Sequence, residues 1–513
     1  MLEINNLSIS LKDGKEIIKN VKFSLEKNDK IAIIGEEGNG KSTLLKCIYD
    51  ENLITSYADI KSGKIIKNNV NIGYLEQFLD KTWDDEKVED YFLKENVNSN
   101  IDYEKYSNIY LLNDIFNKLN INIKYLNENY KISMLSGGEK VKIRLAKLLF
   151  YNKDILLLDE PTNDLDIMTL QWLEDFLKNT SMPILFISHD EVLLENVANG
   201  ILHIERLDNK KSARCTYEKI GYREYVEKRN LLINKETQIA KNEKREYEKR
   251  LEKFRKMYDR VNHELNTVSR QNPHGGRLLK KKMKSVKSYE KRIDNMDIKE
   301  VPKVEEKIYF KFHNDDDIHS KKVILDFKLD ILKTGNKVLS KDICLKVVGK
   351  EKVCIIGENG CGKTTLIKQI YDNLSSNNTI KVGYMPQNYD EKLDVNISPI
   401  EYLKNEYTKE EETLARTYMG SMNFTKEEME NKISSLSGGQ KAKLFLVNLI
   451  VKKCNVLILD EPTRNLSPLS TSVIYDMLRK FNGAIISISH DRKFITNVCD
   501  SVYYMTKGGL KLM

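Results

Sequence analysis

The sequence predicts an α/β fold built twice: two domains of mostly parallel sheet covered by helices, each with a helical subdomain, joined by a long antiparallel helical hairpin. Three observations predict it. Strand-like runs, Lys30-Ile31-Ala32-Ile33-Ile34 and Lys352-Val353-Cys354-Ile355-Ile356, each lead directly into a glycine-rich loop, and strand, glycine loop and helix in succession argue for a parallel sheet. The same motifs recur in the same order from Gly35 to His189 and from Gly357 to His490, an internal repeat on the scale of whole domains. Between them lies a segment of helical period broken once, at Gln271-Asn272-Pro273-His274-Gly275-Gly276. The expected boundaries are 1–210 for the first domain, 211–300 for the hairpin and 301–513 for the second domain.

Composition narrows the class. The 513 residues are 40% hydrophobic and 31% charged, enough for two or three domains with ordinary cores. Mostly apolar stretches such as Leu444 to Val451, interrupted by Asn448, fall far short of the roughly 20 residues a membrane span needs. Met1-Leu2-Glu3-Ile4-Asn5 has no basic-then-apolar signal pattern. A cytoplasmic chain with no membrane partner is expected. Seven scattered cysteines form no CxxC pair and no metal-ligand spacing with histidine, which fits reduced thiols. The net charge of +8 is concentrated: Val226 to Ile293 holds 21 Lys/Arg against 9 Asp/Glu, so the rest of the chain is slightly acidic.

The two glycine loops are Gly35-Glu36-Glu37-Gly38-Asn39-Gly40-Lys41-Ser42 and Gly357-Glu358-Asn359-Gly360-Cys361-Gly362-Lys363-Thr364, both of the form GxxxxGK[ST]. Such glycines let backbone N–H groups curl around phosphate oxygens, the lysine reaches the β- and γ-phosphates, and the hydroxyl binds Mg²⁺. Thr43 and Thr365 follow as further candidates for nucleotide binding. Apolar strands then deliver Asp159-Glu160 and Asp460-Glu461. The aspartates suit Mg²⁺, directly or through water; Glu160 and Glu461 are candidate bases that polarise the attacking water. Gln77 and Gln387 suit a loop sensing Mg²⁺ and γ-phosphate. His189 and His490, in matching Ile-Ser-His-Asp segments, suit a γ-phosphate contact. The expected metal set is Ser42, Gln77 and Asp159 at one site, and Thr364, Gln387 and Asp460 at the other.

Leu135-Ser136-Gly137-Gly138-Glu139 and Leu436-Ser437-Gly438-Gly439-Gln440 complete each repeat. With the loops and acidic strand ends, they resemble the ATP-binding cassette superfamily over about four-fifths of the chain. The resemblance implies ATP with Mg²⁺ and a head-to-tail pairing within one monomer. Lys41 would face Ser437, Gly438 and Gly439, and Lys363 would face Ser136, Gly137 and Gly138. ATP would hold the halves together and hydrolysis would release them. The halves differ after the acidic pair, Pro161-Thr162-Asn163-Asp164-Leu165-Asp166 against Pro462-Thr463-Arg464-Asn465-Leu466-Ser467, so asymmetric coupling is expected. Leu11 and Leu332 stand where the family often has an adenine-stacking aromatic.

In the middle segment, Tyr247, Leu251, Phe254, Tyr258, Val261 and Leu265 are spaced as a heptad seam. Leu279, Met283, Val286, Ile293 and Met296 resume one, interrupted by Glu290. The first helix is expected from about Tyr222 to Leu265 and the tip near 266–277. Twin cassettes joined by a basic helical linker resemble the ABC-F proteins, which act on the ribosome. That resemblance implies a linker entering the tRNA exit site of a bacterial 70S ribosome, near 23S rRNA and P-site tRNA. Arg270, Arg277, Lys280, Lys281, Lys282, Lys284, Lys287, Lys291 and Arg292 would meet RNA phosphates.

Within that family three features favour antibiotic-resistance members, which displace drugs bound at the peptidyl-transferase centre. Only 35 residues separate Lys41 from Gln77, the chain ends 23 residues after His490, and Arg464 to Ser470 looks like the run in Gram-positive factors protecting against lincosamides, streptogramin A compounds and pleuromutilins. Two alternatives stay open: a housekeeping ABC-F translation factor, and the ATPase subunit of an exporter with a separate membrane protein. A DNA partner is not expected, because DNA-repair cassettes carry longer inserts or zinc cysteines.

Overall fold

A computed structural model describes residues 1–77, 79–94, 97, 99–102, 108–127, 129–163, 165–207, 212–267, 273–294, 319, 321–335, 337–376, 380–404 and 408–513. The chain divides into two units, one holding Met1–Tyr222 with the C-terminal part of the chain, the other beginning at Arg223.

In the first cassette β1 (Leu2–Leu11), β2 (Glu16–Leu25), β3 (Lys30–Ile34), α1 (Lys41–Tyr49), β4 (Ala58–Lys67) and β5 (Ile72–Leu75) come first. The helices α2 (Val88–Leu93), α3 (Leu111–Lys118), α4 (Lys124–Asn127) and α5 (Gly137–Phe150) follow. The repeat closes with β6 (Ile155–Asp159), α6 (Ile167–Asn179), β7 (Ile184–Ile187), α7 (Glu191–Val197), β8 (Gly200–Leu207) and β9 (Ser212–Glu218). The central sheet has the order β5-β6-β7-β3-β8-β9, and every neighbouring pair but the last is parallel. All residues of β3, β6 and β7 are buried, which is why these strands, apart from Lys30 and Asp159 at their ends, are apolar rather than alternating. A small antiparallel sheet, β2-β1-β4, shares a core with it: Ile4, Ile9, Phe23, Ile31, Ile33, Leu44 and Ile155 are buried together. Among α2, α3 and α5, Phe92 packs on Phe116 and Phe150 at ring distances of 5.6 and 6.1 Å.

Past the sheet, α8 (Tyr222–Thr267) and α9 (Pro273–Asp294) make up the described linker. The second cassette repeats the first: β10 (Val323–Thr334), β11 (Lys337–Val348), β12 (Lys352–Gly357), α10 (Lys363–Ser375) and β13 (Val382–Met385). Then come α11 (Pro399–Leu403), α12 (Lys409–Ser421), α13 (Lys426–Glu430) and α14 (Gly438–Val451). Last are β14 (Val456–Asp460), α15 (Pro468–Arg479), β15 (Ala484–Ile488), α16 (Arg492–Val498), β16 (Ser501–Thr506) and β17 (Gly509–Leu512). Its sheet order, β13-β14-β15-β12-β16-β17, matches the first strand for strand.

Two boundaries differ from the sequence reading. The first cassette runs past 210, because β9 pairs antiparallel with β8, from Ile201 with Glu218 to Leu207 with Ser212, and closes the sheet edge. Residues 212–222 are therefore cassette, not linker. Part of the segment expected as the tip, 266–277, is helix. Pro273 opens α9, so His274, Gly275, Gly276 and Arg277 are helical. A proline in the first helical turn gives up only an N–H that has no intrahelical partner, so it starts this helix as readily as it would break one. Residues 268–272, Arg270 among them, and Met296 lie outside the described residues.

Within the linker unit the seams are legible as burial. Val261, Leu279, Val286 and Ile293 are buried, the last three at a spacing of seven, whereas Arg277, Lys280, Lys281, Lys282, Lys284, Lys287, Lys291 and Arg292 are all exposed.

Candidate nucleotide sites

Each phosphate loop takes its shape from glycines that no other residue replaces cheaply. Gly35, Gly38 and Gly40 have φ of 146°, 78° and 92°; Gly357, Gly360 and Gly362 have 156°, 76° and 105°. The lysines fold back over their loops. Lys41 Nζ donates to the carbonyls of Gly35 and Glu36 at 2.9 and 3.0 Å, and Lys363 Nζ to those of Gly357 and Glu358 at 2.7 and 2.9 Å. At Gly35 an added Cβ would stand 2.1 Å from the Ile204 carbonyl oxygen, while at Gly38 it would meet open space. Either alanine meets a backbone conformation that costs about 1–3 kcal/mol; Gly35→Ala adds the clash with the Ile204 carbonyl, so it is expected to cost more than Gly38→Ala and to abolish nucleotide binding at its loop. Thermal melting and fluorescent-nucleotide titration check this, and equal effects of the two would refute it.

The acidic strand ends converge on the loops. Ser42 Oγ donates to Asp159 at 3.0 Å, and Tyr74 donates to the same carboxylate at 3.2 Å. Burial pushes both Asp159 and Asp460 up to about 6, with hydroxyl bonds from Ser42 and Thr364 pulling the other way. Asp460 Oδ2 is buried without a hydrogen-bond partner. An acceptor-only carboxylate oxygen left so beside a threonine hydroxyl fits a Mg²⁺ held by one carboxylate, one hydroxyl and substrate phosphate. Among the described residues no cluster of three or more His, Cys, Asp or Glu forms a protein-only cage.

Glu160 and Glu461 stand one residue past the strand ends with φ of 49° and 54°, in the left-handed region. Their N–H groups are held by the carbonyls of Ile187 and Ile488 at 3.1 and 2.9 Å, which pins the strained backbone. Beyond that the sites diverge. Glu160 accepts from Gln77 at 2.9 Å and Asn163 at 2.6 Å, and its Oε1 lies 3.2 Å from His189 Nε2. Burial alone would raise its carboxyl, but His189, Lys41 and Asn163 outweigh burial and hold it down to about 2. Glu461 accepts the His490 backbone N–H at 3.3 Å. Burial, then Asp460, raises it to about 8, while burial and Lys363 lower His490 to about 4.

The halves meet head to tail. A cavity of about 630 Å³ is lined by Gly360, Gly362, Lys363, Thr364, Thr365, Gln387, Asp460, Glu461 and His490 from the second cassette. Gly137, Asn163 and His189 line it from the first. Ser136 and Ser437 cap α5 and α14, each in a reciprocal capping box with Glu139 or Gln440, so the N–H groups of Gly137–Gly138 and Gly438–Gly439 open those helices. Leu332 is fully buried in the core and Leu11 half-buried; Thr334, Lys337 and Leu339 line the cavity instead. Asp166 caps α6 through a 2.8 Å bond from Thr169 N–H, whereas Ser467 bonds Ser470 at 2.9 Å and Pro468 starts α15. Asp164 lies outside the described residues.

Sequence reasoning missed two groups. Arg144 donates to the Glu76 carbonyl beside Gln77, fastening α5 to that loop. Arg492 and Lys493 cross to the first cassette, where Arg492 binds Glu174 at 2.7 Å and Asp190 at 3.3 Å, and Lys493 binds Glu191 at 2.6 Å. The signal was present: the twin His-Asp segments continue with Glu191 in one repeat and Arg492-Lys493 in the other.

Two phosphate loops, two acidic strand ends and two helix N-termini shared across one interface define a twin-site ATPase. The ABC transporter family model matches residues 18–163 and 340–464. The ATP-binding protein Uup of Buchnera aphidicola is 32% identical over 99% of this chain and 81% of its own length. ABC transporter F family member 2 of Arabidopsis thaliana is 27% identical over 99% and 77%. The chain belongs to the ABC-F family of ATP-binding cassette ATPases, and it hydrolyses ATP. In fold it is similar to the archaeal ribosome recycling factor aABCE1, with a TM-score of 0.56 at 16% identity over 96% of this chain and 87% of that one. Among the described residues no helix is long and apolar enough to cross a membrane.

Proposed function

We propose that the chain is a ribosome-binding ATPase that enters the tRNA exit site, displaces antibiotics bound at the peptidyl-transferase centre, and leaves on ATP hydrolysis. ATP with Mg²⁺ lies between Lys41 and Ser437 and between Lys363 and Ser136. Ser42, Asp159 and Gln77, and Thr364, Asp460 and Gln387, hold the metal; Glu160 and Glu461 polarise water; His189 and His490 contact the γ-phosphate. The observation that carries the ribosome reading is the cation row of α9: eight exposed Lys and Arg against Glu290 and Asp294 on one helix. Such a row neutralises nucleic-acid phosphate with little sequence preference, which suits a structured RNA target. The run from Arg464 to Ser470 supports the resistance assignment. A housekeeping translation factor is the second reading; it keeps the ribosome and the ATPase and differs in what the linker tip does. Its support is the 32% identity to the ATP-binding protein Uup over 99% of this chain.

The test is sedimentation of the Glu160→Gln, Glu461→Gln variant with purified 70S ribosomes, with ATP and with ADP. Pelleting with ATP alone is expected; no pelleting with either nucleotide refutes the reading and favours the exporter subunit. Drug footprints on the same complex then separate protection from a housekeeping role. Changing Lys280, Lys281, Lys282 and Lys284 to Gln should weaken ribosome binding and flatten its salt dependence, by about 0.7–0.9 in log–log slope for each phosphate no longer neutralised. An unchanged salt slope would remove α9 from the RNA interface.

A further inference from the structure

The two phosphate loops meet the opposite cassette differently. The second opens onto the cavity of about 630 Å³ at Lys363. Where Glu36 and Glu37 of the first loop meet Ser437 and Gly439, only a crevice of about 30 Å³ is left between them. Glu37 Oε2 accepts the backbone N–H of Gly439, and Glu37 Oε1 lies 3.2 Å from where a Cβ on Gly438 would stand. Beside it Glu36 Oε1 lies 3.2 Å from Lys443 Nζ, both side chains largely buried. Gly438 and Gly439 form the first turn of α14, a helix of 14 residues. The leading N–H groups of such a helix carry partial positive charge and gather anions. Here the anion is a carboxylate of the opposite cassette.

We propose that Glu37 occupies the place that the terminal phosphate of ATP must take at the Lys41 site, so that the nucleotide-free first site is held shut by its own phosphate loop. The inference rests on the reading that ATP lies between Lys41 and Ser437. Two anions compete for one set of donors, and ATP enters by turning the carboxylate out. ADP lacks the terminal phosphate and does not compete. The second loop carries a neutral Asn359 at the matching position, and its cavity is open. The Lys363 site therefore fills first, and the Lys41 site engages only at higher ATP concentration.

The experiment uses the full chain with Lys363→Ala, which leaves the first site to report, and titrates fluorescent ATP and ADP. Glu37→Gln and Glu37→Ala should each tighten ATP roughly tenfold, the factor that one charge-assisted hydrogen bond represents, and change ADP far less. Hydrogen exchange at the Gly439 amide, measured without nucleotide, should rise in Glu37→Ala. Equal tightening of ATP and ADP would mean general charge repulsion and overturn the inference, as would unchanged ATP binding or an amide already unprotected with Glu37 in place. Ser437→Arg in the same background separates the two levels. If it removes the preference for ATP while the Glu37 variants change nothing, only this inference fails. If it leaves ATP binding intact, the shared-site reading fails as well.

Discussion

Glu160→Gln with Glu461→Gln is expected to lower turnover by about 10²–10⁴-fold while ATP stays bound, the range that losing a positioned general base costs. Glutamine has the shape of glutamate and keeps the carbonyl oxygen, so the loop remains intact and only the proton acceptor is lost. Both backbones are strained at this residue, with φ of 49° and 54°, and both are tied to the neighbouring strand. A side chain launched from such a pinned turn has little freedom, so a neighbouring group will not take over its role. Phosphate release and filter-retained nucleotide measure the two halves of the claim. Turnover within a few-fold of the parent would show that another group activates water. The single variants add a comparison, because Glu160 has Gln77, Asn163 and His189 around it, whereas Glu461 keeps a backbone N–H from His490. Unequal losses would show that the two sites turn over at different rates.

The second large effect is on stability. Arg492→Ala is expected to cost about 3–5 kcal/mol, the range for removing one partner of a buried ion pair. Its guanidinium spans Glu174 at 2.7 Å and Asp190 at 3.3 Å, with side-chain exposures of 19%, 11% and 12%. Truncation leaves two carboxylates facing each other with little water. Burial already pushes Asp190 up, and Arg492 is the charge that opposes this. The neighbouring Lys493 pairs with Glu191 and Glu195 at 2.6 and 2.7 Å, and Thr471 donates to Glu191 at 2.6 Å, so one cluster ties the cassettes together. Denaturant unfolding should shift to a lower midpoint, and Glu174→Gln should recover part of the loss by removing one orphaned charge. An unchanged midpoint would mean that water and Lys493 compensate fully. Because Asp190 caps α7 directly after His189, some loss of turnover should accompany the loss of stability.

The identity of the chemistry is legible in the amino-acid sequence. Gly35 to Ser42 and Gly357 to Thr364 are local: a strand, three glycines and a lysine make the same loop wherever they occur, because the backbone conformation is set within eight residues. The apolar runs ending in Asp159 and Asp460 are similarly self-contained, since only a strand covered on both faces needs such a run. The helical linker followed from its heptad seam, and burial at Leu279, Val286 and Ile293 matches that spacing.

What resisted reading was non-local. Ser212–Glu218 looks like the start of a linker until β8 offers it an edge. Pro273 is a breaker or a helix start depending on which residue takes the first turn. The pairing of Arg492 with Glu174, separated by 318 residues, has no sequence period to announce it, although the charge reversal after the twin His-Asp segments hints at it. The same holds for Glu37 and Gly439, 402 residues apart, where a carboxylate within one repeat meets the helix start of the other. The sequence by itself determined that this protein is an ATPase built from two copies of one nucleotide-binding fold, because those motifs are short-range geometry. Only the tertiary structure decided how the copies differ, because that depends on which charges the folded chain brings within a hydrogen bond of each other.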